Sequence, residues 1–220
     1  MNVALIVFAG VGSRINSKIP KQFIKIKDKE LVSYTIDVFN NSPLIDEIIL
    51  VTHPDYVDYV NEMVKKYSYN KVKRVISGSS TRQKSVEKGL IFTNYDDNDK
   101  ILIHDGDRPL VDNKIIESNI NALDEYDAVC TFIKHKDALP NVSNSGRKIV
   151  LAGDDVDVQT PQSFRYGLIK KYHVLKRDQE FNDDIGIVEG EIQFIAYVKG
   201  DKKNFKVTTD IDLETFKNMI

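Results

Sequence analysis

Cysteine is nearly absent. The 220 residues contain one, Cys130, which excludes an intrachain disulfide framework and any metal site built from cysteines. It lies in the apolar run Ala128-Val129-Cys130-Thr131-Phe132-Ile133 and reads as buried filler, not as a nucleophile. Charge of one sign is not in excess either. With 31 basic and 33 acidic residues well mixed, the formal charge is −2, so no cationic stripe points to nucleic acid and no charged tail to a disordered arm. No apolar run is long enough to span a bilayer, and no basic leader precedes Val3. Repeats and low-complexity tracts are missing. His53, His135 and His173 are scattered without ligand spacing, which argues against zinc. The expectation is a soluble cytoplasmic protein with neither a nucleic-acid nor a membrane partner. Its length suits a single domain over 1–220 with room for one excursion.

What is present is an alternation. Apolar strand-like runs are predicted at 3–8, 47–52, 72–77, 100–104, 127–133 and 192–198. Between them apolar residues recur at helical spacing: Leu31, Val38 and Phe39; Val57, Val60 and Val64; Val86 and Leu90; Ile116, Ile120 and Leu123. Phe164, Leu168, Ile169, Tyr172 and Leu175 predict a further helix, and a last one is expected at 210–219, where Thr209-Asp210-Ile211-Asp212 resembles a capping box. Such alternation implies an α/β fold with a mostly parallel sheet covered on both faces, binding ligands at the carboxyl ends of its strands. The stretch 135–158 breaks the rhythm. His135 to Pro140 and Asn144-Ser145-Gly146-Arg147-Lys148 look like a polar-tipped hairpin, either a subunit arm or an ordinary surface excursion.

The first strand empties into Ala9-Gly10-Val11-Gly12-Ser13-Arg14, with Pro20-Lys21-Gln22 close behind. Glycines let backbone N–H groups approach phosphate, and the two cations would neutralise its oxygens. A dinucleotide fingerprint would need glycine at Ile15 and an acid closing the second strand, which ends in Thr52-His53. A Walker loop needs Ser or Thr after its lysine, and Lys21 precedes Gln22. The loop is therefore a phosphate cradle of another kind or a tight strand-to-helix turn. Asp105, just past a strand end in His104-Asp105-Gly106-Asp107-Arg108-Pro109, suits Mg²⁺, which takes one or two carboxylates plus phosphate oxygens. His104 reads as a buried residue orienting that loop. Read singly, Arg82 and Lys84 would be the solvated first turn of a helix, Arg108-Pro109 a turn, and Lys206 a surface lysine.

Taken together, the order changes that reading. The two loops above, Gly78-Ser79-Ser80-Thr81-Arg82-Gln83-Lys84-Ser85-Val86, Gln159-Thr160-Pro161-Gln162-Ser163-Phe164 and Asn204-Phe205-Lys206-Val207-Thr208-Thr209 fall in the order and spacing of the cytidylyltransferases that load CMP onto small polyol phosphates. Nearly the whole chain resembles that family, which includes the methylerythritol-phosphate and ribitol-phosphate enzymes. The resemblance implies a Rossmann-like three-layer αβα nucleotidyltransferase fold with a protruding β-arm, CTP and a polyol phosphate as substrates, Mg²⁺ as cofactor, and a homodimer through the arm at 135–158. It implies catalytic roles for Arg14, Lys21 and Lys206, and CTP contacts from Ala9, Gly10, Gly12, Gly78, Ser79, Arg82 and Ser85. Asp105 would hold the metal. Asp105, Asp107, Arg108, Thr160 and Asp183 would face the acceptor.

The chain departs from the family pattern on the acceptor side. Ala152 stands where the methylerythritol enzymes carry an arginine that reaches across the dimer. Asp137-Ala138-Leu139-Pro140 replaces an Asp-Thr-hydrophobic-Lys run, and Asn182-Asp183 replaces a Thr-Asp pair. Asp107 occupies a position that is usually small or neutral, where it would bind an acceptor hydroxyl or add a second metal ligand. Arg147 or Lys148 would have to substitute for the missing arginine. An intact donor half beside a rewritten acceptor half favours ribitol 5-phosphate or a related cell-surface polyol phosphate, with methylerythritol phosphate as the alternative. A CTP-binding protein without turnover and a sugar-1-phosphate nucleotidyltransferase are the readings from other classes.

Overall fold

The computed structural model describes the chain apart from residues 12, 13, 16, 18, 135–139, 144–145 and 150–155, and gives 140–143 and 146–149 as backbone only. The strands are β1 (Asn2–Phe8), β2 (Lys25–Ile26), β3 (Lys29–Glu30), β4 (Glu47–Thr52), β5 (Val72–Ser77), β6 (Lys100–Asp105), β7 (Ala128–Lys134), β8 (Pro140–Ser143), β9 (Gly146–Ile149), β10 (Val156–Arg165) and β11 (Ala196–Lys199). The helices are α1 (Leu31–Asn41), α2 (Val57–Lys66), α3 (Arg82–Ile91), α4 (Asn113–Ala122), α5 (Tyr166–Leu175), α6 (Asp184–Val188) and α7 (Asp210–Met219). The main sheet has the order β11-β7-β10-β6-β1-β4-β5, with β10 alone antiparallel to its neighbours.

β1 is apolar from Val3 to Phe8 because both of its faces are covered. Ala4, Ile6 and Phe8 point to one side, where Val32, Ile36 and Phe39 of α1, Val60 of α2 and Ile116 of α4 pack on them. Val3, Leu5 and Val7 point to the other, against Val86 and Leu90 of α3, Ile169 of α5 and Ile185 of α6. That gives the expected three layers. Each such aliphatic side chain, fully buried, contributes about 1.5–3 kcal/mol. α7 starts on the anticipated capping box, Thr209 with Asp212, and seals the sheet's side through Leu213 and Phe216 against Ile26 and Leu31.

Two elements differ from the sequence reading. Residues 159–164 form the middle of β10, and Phe164 lies in that strand; the helix begins only at Tyr166. Pro161 sits where the pairing of β10 with β7 shifts register, between Gln159 and Gln162, so its missing N–H interrupts no regular ladder. The last strand covers 196–199 rather than 192–198. The chain leaves α6 through Gly190 at φ +79°, and pairing with β7 starts at Ala196. β8 and β9 pair antiparallel, Pro140 opposite Ile149, so the hairpin expected in 135–158 is present in its strands. Gly12, His135, Asp137-Ala138-Leu139 and Ala152, with the side chains of Pro140, Arg147 and Lys148, lie outside the described residues, as does much of the proposed subunit arm. Among the described residues, no helix is long and apolar enough to cross a membrane.

Candidate active site

β1 and β6 are parallel neighbours with Val7 opposite Asp105, so the glycine loop and the Asp105 loop leave the sheet side by side. Between them lies a cavity of about 440 Å³. Ala9, Gly10 and Arg14 line it from the first loop, Ser79, Arg82 and Ser85 from the start of α3, Asp105 and Asp107 from the end of β6, and Lys206 from the segment before α7; Lys21 completes it.

The first loop is held from behind. Gln22, 2 % exposed, donates from Nε2 to the carbonyls of Phe8 at 2.9 Å and Gly10 at 2.8 Å. Phe23, one residue on, stacks on Tyr56 with ring centroids 4.6 Å apart. Gly78 approaches the same loop so closely that a Cβ there would sit 2.4 Å from Ala9 Cβ, leaving room for glycine alone. Ser85 fixes the turn after Gly78: its Oγ accepts from Ser79 N at 2.9 Å and donates to Thr81 O at 2.8 Å. Thr81 caps α3 by accepting from Lys84 N; Thr81 and Arg82 line the cavity, so it lies at a helix N-terminus, an end suited to anions.

Asp105 carries the electrostatic centre. Oδ1 accepts from Arg82 Nε at 2.8 Å and Oδ2 from Lys206 Nζ at 2.9 Å, with Arg108 Nε 3.6 Å away. Burial pushes its carboxyl up, but Arg82, Lys206 and Arg108 together outweigh burial and hold it well below the usual carboxylate range. Arg82 is gripped from its other side by Asp184, Nη1 to Oδ2 at 2.7 Å, and Asp184 also contacts His173 Nε2 at 3.2 Å. Across the cavity Lys21 Nζ donates to Val207 O at 2.6 Å and meets Asp107 Oδ2 at 2.5 Å. Arg14, Lys21, Arg82 and Lys206 thus line the cavity against two carboxylates, Asp105 and Asp107. That excess of cations suits a polyphosphate.

Not every residue singled out in the sequence faces this cavity. Gly78 lies behind it. Thr160 Oγ1 accepts from Asp105 N at 3.1 Å and contacts His104 Nδ1 at 3.1 Å. Arg108 donates from Nη1 to Asn204 O at 2.8 Å. Asp183 caps α6 through Gly186 N and accepts from Gln162 Nε2 at 2.9 Å. Gln22, Thr81 and Asp184 are contributors that the sequence reading did not single out. Gln22 stood in plain view beside Lys21, and Asp184 beside Asp183, but nothing in the string marks which neighbour turns inward.

His104 is fully buried, and desolvation pushes its pKa down to about 3, against a smaller opposing pull from Asp105. It is a neutral ring, not a base. Nε2 faces the carbonyl of Arg108 at 3.2 Å, so Nε2 carries the proton and Nδ1 accepts from Thr160. Its folded value lies below that of the unfolded chain, about 6.5. The unfolded state therefore binds the extra proton between those values, and stability falls as pH drops through that window. Urea titrations between pH 7 and 5 are expected to show a His104→Gln variant losing stability less steeply than the wild type, by up to about 1.4 kcal/mol per pH unit. Equal slopes would mean that His104 titrates in the fold as it does in the unfolded chain. Cys130 is buried as anticipated, its thiol pushed up to about 12 by burial and, less strongly, by Asp183.

For a divalent cation, Asp105 and Asp107 are the acidic side chains lining the cavity, and among the described residues no group of three or more His, Cys, Asp or Glu could hold a metal by itself. That donor set fits Mg²⁺, which needs only one or two carboxylates when substrate phosphates supply the rest.

A sequence profile of 2-C-methyl-D-erythritol 4-phosphate cytidylyltransferase matches residues 2–220. A protein of that name from Clostridium acetobutylicum is 39% identical over 225 residues, covering 100% of this chain and 97% of its own length. One from Clostridium novyi is 38% identical over 217 residues, covering 96% and 93%. The crystal structure of 4-diphosphocytidyl-2C-methyl-D-erythritol synthase from Anaerococcus prevotii superposes with a TM-score of 0.85 at 28% identity, covering 99% of this chain and 97% of that one. A match over essentially the full length, on a fold whose glycine loop and Asp105 loop converge on one cationic cavity, makes this chain a member of the 2-C-methyl-D-erythritol 4-phosphate cytidylyltransferase family, and so a CTP-dependent cytidylyltransferase.

Proposed function

We propose that this chain transfers CMP from CTP to 2-C-methyl-D-erythritol 4-phosphate and releases pyrophosphate. What supports this acceptor is that the relatives matching nearly the whole chain at 36–39% identity all carry that name. The lean toward ribitol 5-phosphate drawn from Ala152 and Asn182 finds no counterpart among them, and they favour what was the alternative.

An oxygen of the acceptor phosphate attacks the α-phosphorus of CTP as the bond to pyrophosphate breaks. The nucleophile is already an anion, so no general base is needed, in keeping with a neutral, buried His104. What the protein must supply is alignment and positive charge where the leaving oxygens gain negative charge. Lys21 and Arg14 are assigned to the triphosphate, and Lys206 to the reacting phosphates. Ser79 and the Ser85 hydroxyl, which line the cavity, are assigned to the base, because main-chain groups locked by Ser85 offer fixed donors and acceptors; Gly78, behind the cavity, serves only by letting this turn approach Ala9. Mg²⁺, held by Asp105 and phosphate oxygens, would add neutralising charge on the triphosphate. Asp105, held ionised by Arg82, Lys206 and Arg108, is the carboxylate that would hold such an ion.

The test is pyrophosphate release with Mg²⁺ and CTP across methylerythritol 4-phosphate, ribitol 5-phosphate, glycerol 3-phosphate and sugar 1-phosphates. Methylerythritol phosphate is expected to lead by a factor of about 100 or more in kcat/KM, the discrimination given by a few specific polar contacts. Preference for ribitol 5-phosphate would restore the other reading, and CTP binding without turnover on any acceptor would leave a nucleotide-binding protein.

A further inference from the structure

We propose that Asp107 is a positioning residue that anchors the Lys21 ammonium for catalysis, and is neither an acceptor contact nor a metal ligand. The inference rests on the proposed cytidylyl transfer only in taking Lys21 to work on phosphate.

The geometry is a closed triangle. Val207 N donates to Asp107 O at 2.8 Å, Lys21 Nζ donates to Val207 O at 2.6 Å, and Lys21 Nζ meets Asp107 Oδ2 at 2.5 Å. Three segments far apart in sequence meet there: the first loop, the turn after β6, and the irregular segment before α7 that carries Lys206. Asp107 and Lys21 are each 9 % exposed, so the pair is protected from the solvent competition that makes surface ion pairs weak. An ammonium has three donors. Two are committed to the protein, and Lys21 still lines the cavity, so the third is left for a substrate oxygen. A lysine otherwise spreads over many rotamers, and fixing two of its donors selects one of them before the nucleotide arrives.

The same contacts argue against the two roles considered for Asp107 from sequence. Its Oδ2 is taken by Lys21, and its Oδ1 already faces Lys206 Nζ at 3.9 Å. Both oxygens address lysines. An acid this close to a triphosphate also opposes binding, since it cancels part of the charge of Lys21. Asp107 therefore trades affinity for alignment, and that trade separates kcat from binding.

Four predictions of the anchor can be measured on the full-length protein. Asp107→Ala is expected to lower kcat about 10- to 100-fold, the cost of misplacing one catalytic group. CTP dissociation constants, measured by calorimetry without acceptor, should stay equal or tighten. Asp107→Asn, whose amide oxygen still accepts from Lys21, should recover kcat to within about threefold of wild type, because it restores the acceptor without the charge. Acetylation of Lys21, followed by mass spectrometry, should run several-fold faster in Asp107→Ala than in wild type. This last readout needs no turnover, so a wild type inactive on every acceptor would overturn the proposed reaction while leaving the anchor open to test. An unchanged kcat together with an unchanged Lys21 labelling rate in Asp107→Ala would overturn the anchor. So would a selective rise in the acceptor KM or in the Mg²⁺ requirement, either of which would return Asp107 to one of the roles rejected here. A fall in melting temperature with no split between kcat and CTP affinity would reduce Asp107 to a structural residue and equally overturn the proposal.

Discussion

Lys21→Ala is expected to lower turnover about 100- to 1000-fold, the range seen when one preorganised donor is removed from developing negative charge. The fold should persist. Lys21 sits in a 3₁₀ turn (Lys21–Phe23) held by Gln22 and Phe23, none of which needs the ammonium. Stability should still fall by about 1–3 kcal/mol, because Asp107 is left buried with only Lys206 at 3.9 Å for company. Lys21→Arg should not rescue the enzyme. A planar guanidinium cannot place two donors on Val207 O and Asp107 and a third into the cavity in the tetrahedral arrangement of an ammonium. Initial rates, calorimetry with CTP and a thermal melt on the same preparation separate these effects. A variant that melts like wild type and keeps more than a tenth of its rate would remove Lys21 from the reacting phosphates.

The parts of the structure legible from sequence are those where one kind of residue does one job. β1, β4 and β6 are apolar because both of their faces are buried, and α7 announces itself through Thr209 and Asp212. β10 was hidden for the opposite reason. Its central residues, Gln159, Thr160, Gln162 and Ser163, are polar yet at most 5 % exposed, each satisfied by a partner 21 or more residues away: Asp201 O for Gln159, His104 for Thr160, Asp183 for Gln162 and Asn119 for Ser163. A strand whose buried residues are polar shows neither a continuous apolar run nor an alternation, and Pro161 in its middle argues for a turn.

The cavity was legible to the same degree. On the donor side the glycine loop by itself allowed a phosphate cradle or a tight turn, and it was the resemblance that assigned Ala9, Gly10, Arg14 and Lys21 to the site; all four line the cavity. Partnerships between acids and bases could not, because a sequence gives a charge without its direction. Arg82, a solvated helix turn when read singly and a CTP contact by the resemblance, lines the cavity clasped between Asp105 and Asp184. Asp107 looked like an acceptor contact and is bound to Lys21.

Asp184→Ala should produce the largest loss of stability of any single change at this site. The carboxylate is fully buried, pairs with Arg82 through Oδ2 and contacts His173 through Oδ1, and its residue's N–H donates to Gln162 Oε1 at 2.9 Å. Removing it leaves Arg82 with Asp105 alone, its Nη2 already without a partner among the described residues, and takes the Nε2 partner from a histidine whose Nδ1 likewise has none among them. Breaking one side of a buried pair costs about 3–5 kcal/mol, which for a chain of this size corresponds to roughly 6–20 °C in melting temperature. The pH dependence has a definite sign. Burial raises the Asp184 carboxyl, but Arg82 and His173 outweigh it and hold it below its ordinary value. Its contribution is therefore present above the unfolded pKa, about 3.9, and lost as pH falls through the lower folded value. The gap between wild type and variant should be full at pH 7 and should close only in strong acid. Asp184→Asn should fall between the two, since its amide keeps a hydrogen bond to Arg82 but removes one of the two negative charges that clasp the guanidinium. Activity should fall with stability in both variants: freed from Asp184, the Arg82 guanidinium can turn fully onto Asp105 and compete with Mg²⁺ for it. Equal melting of wild type and Asp184→Ala at pH 7 would mean that the cost of burying Asp184 cancels its pairing, and that Arg82 is held by Asp105 alone.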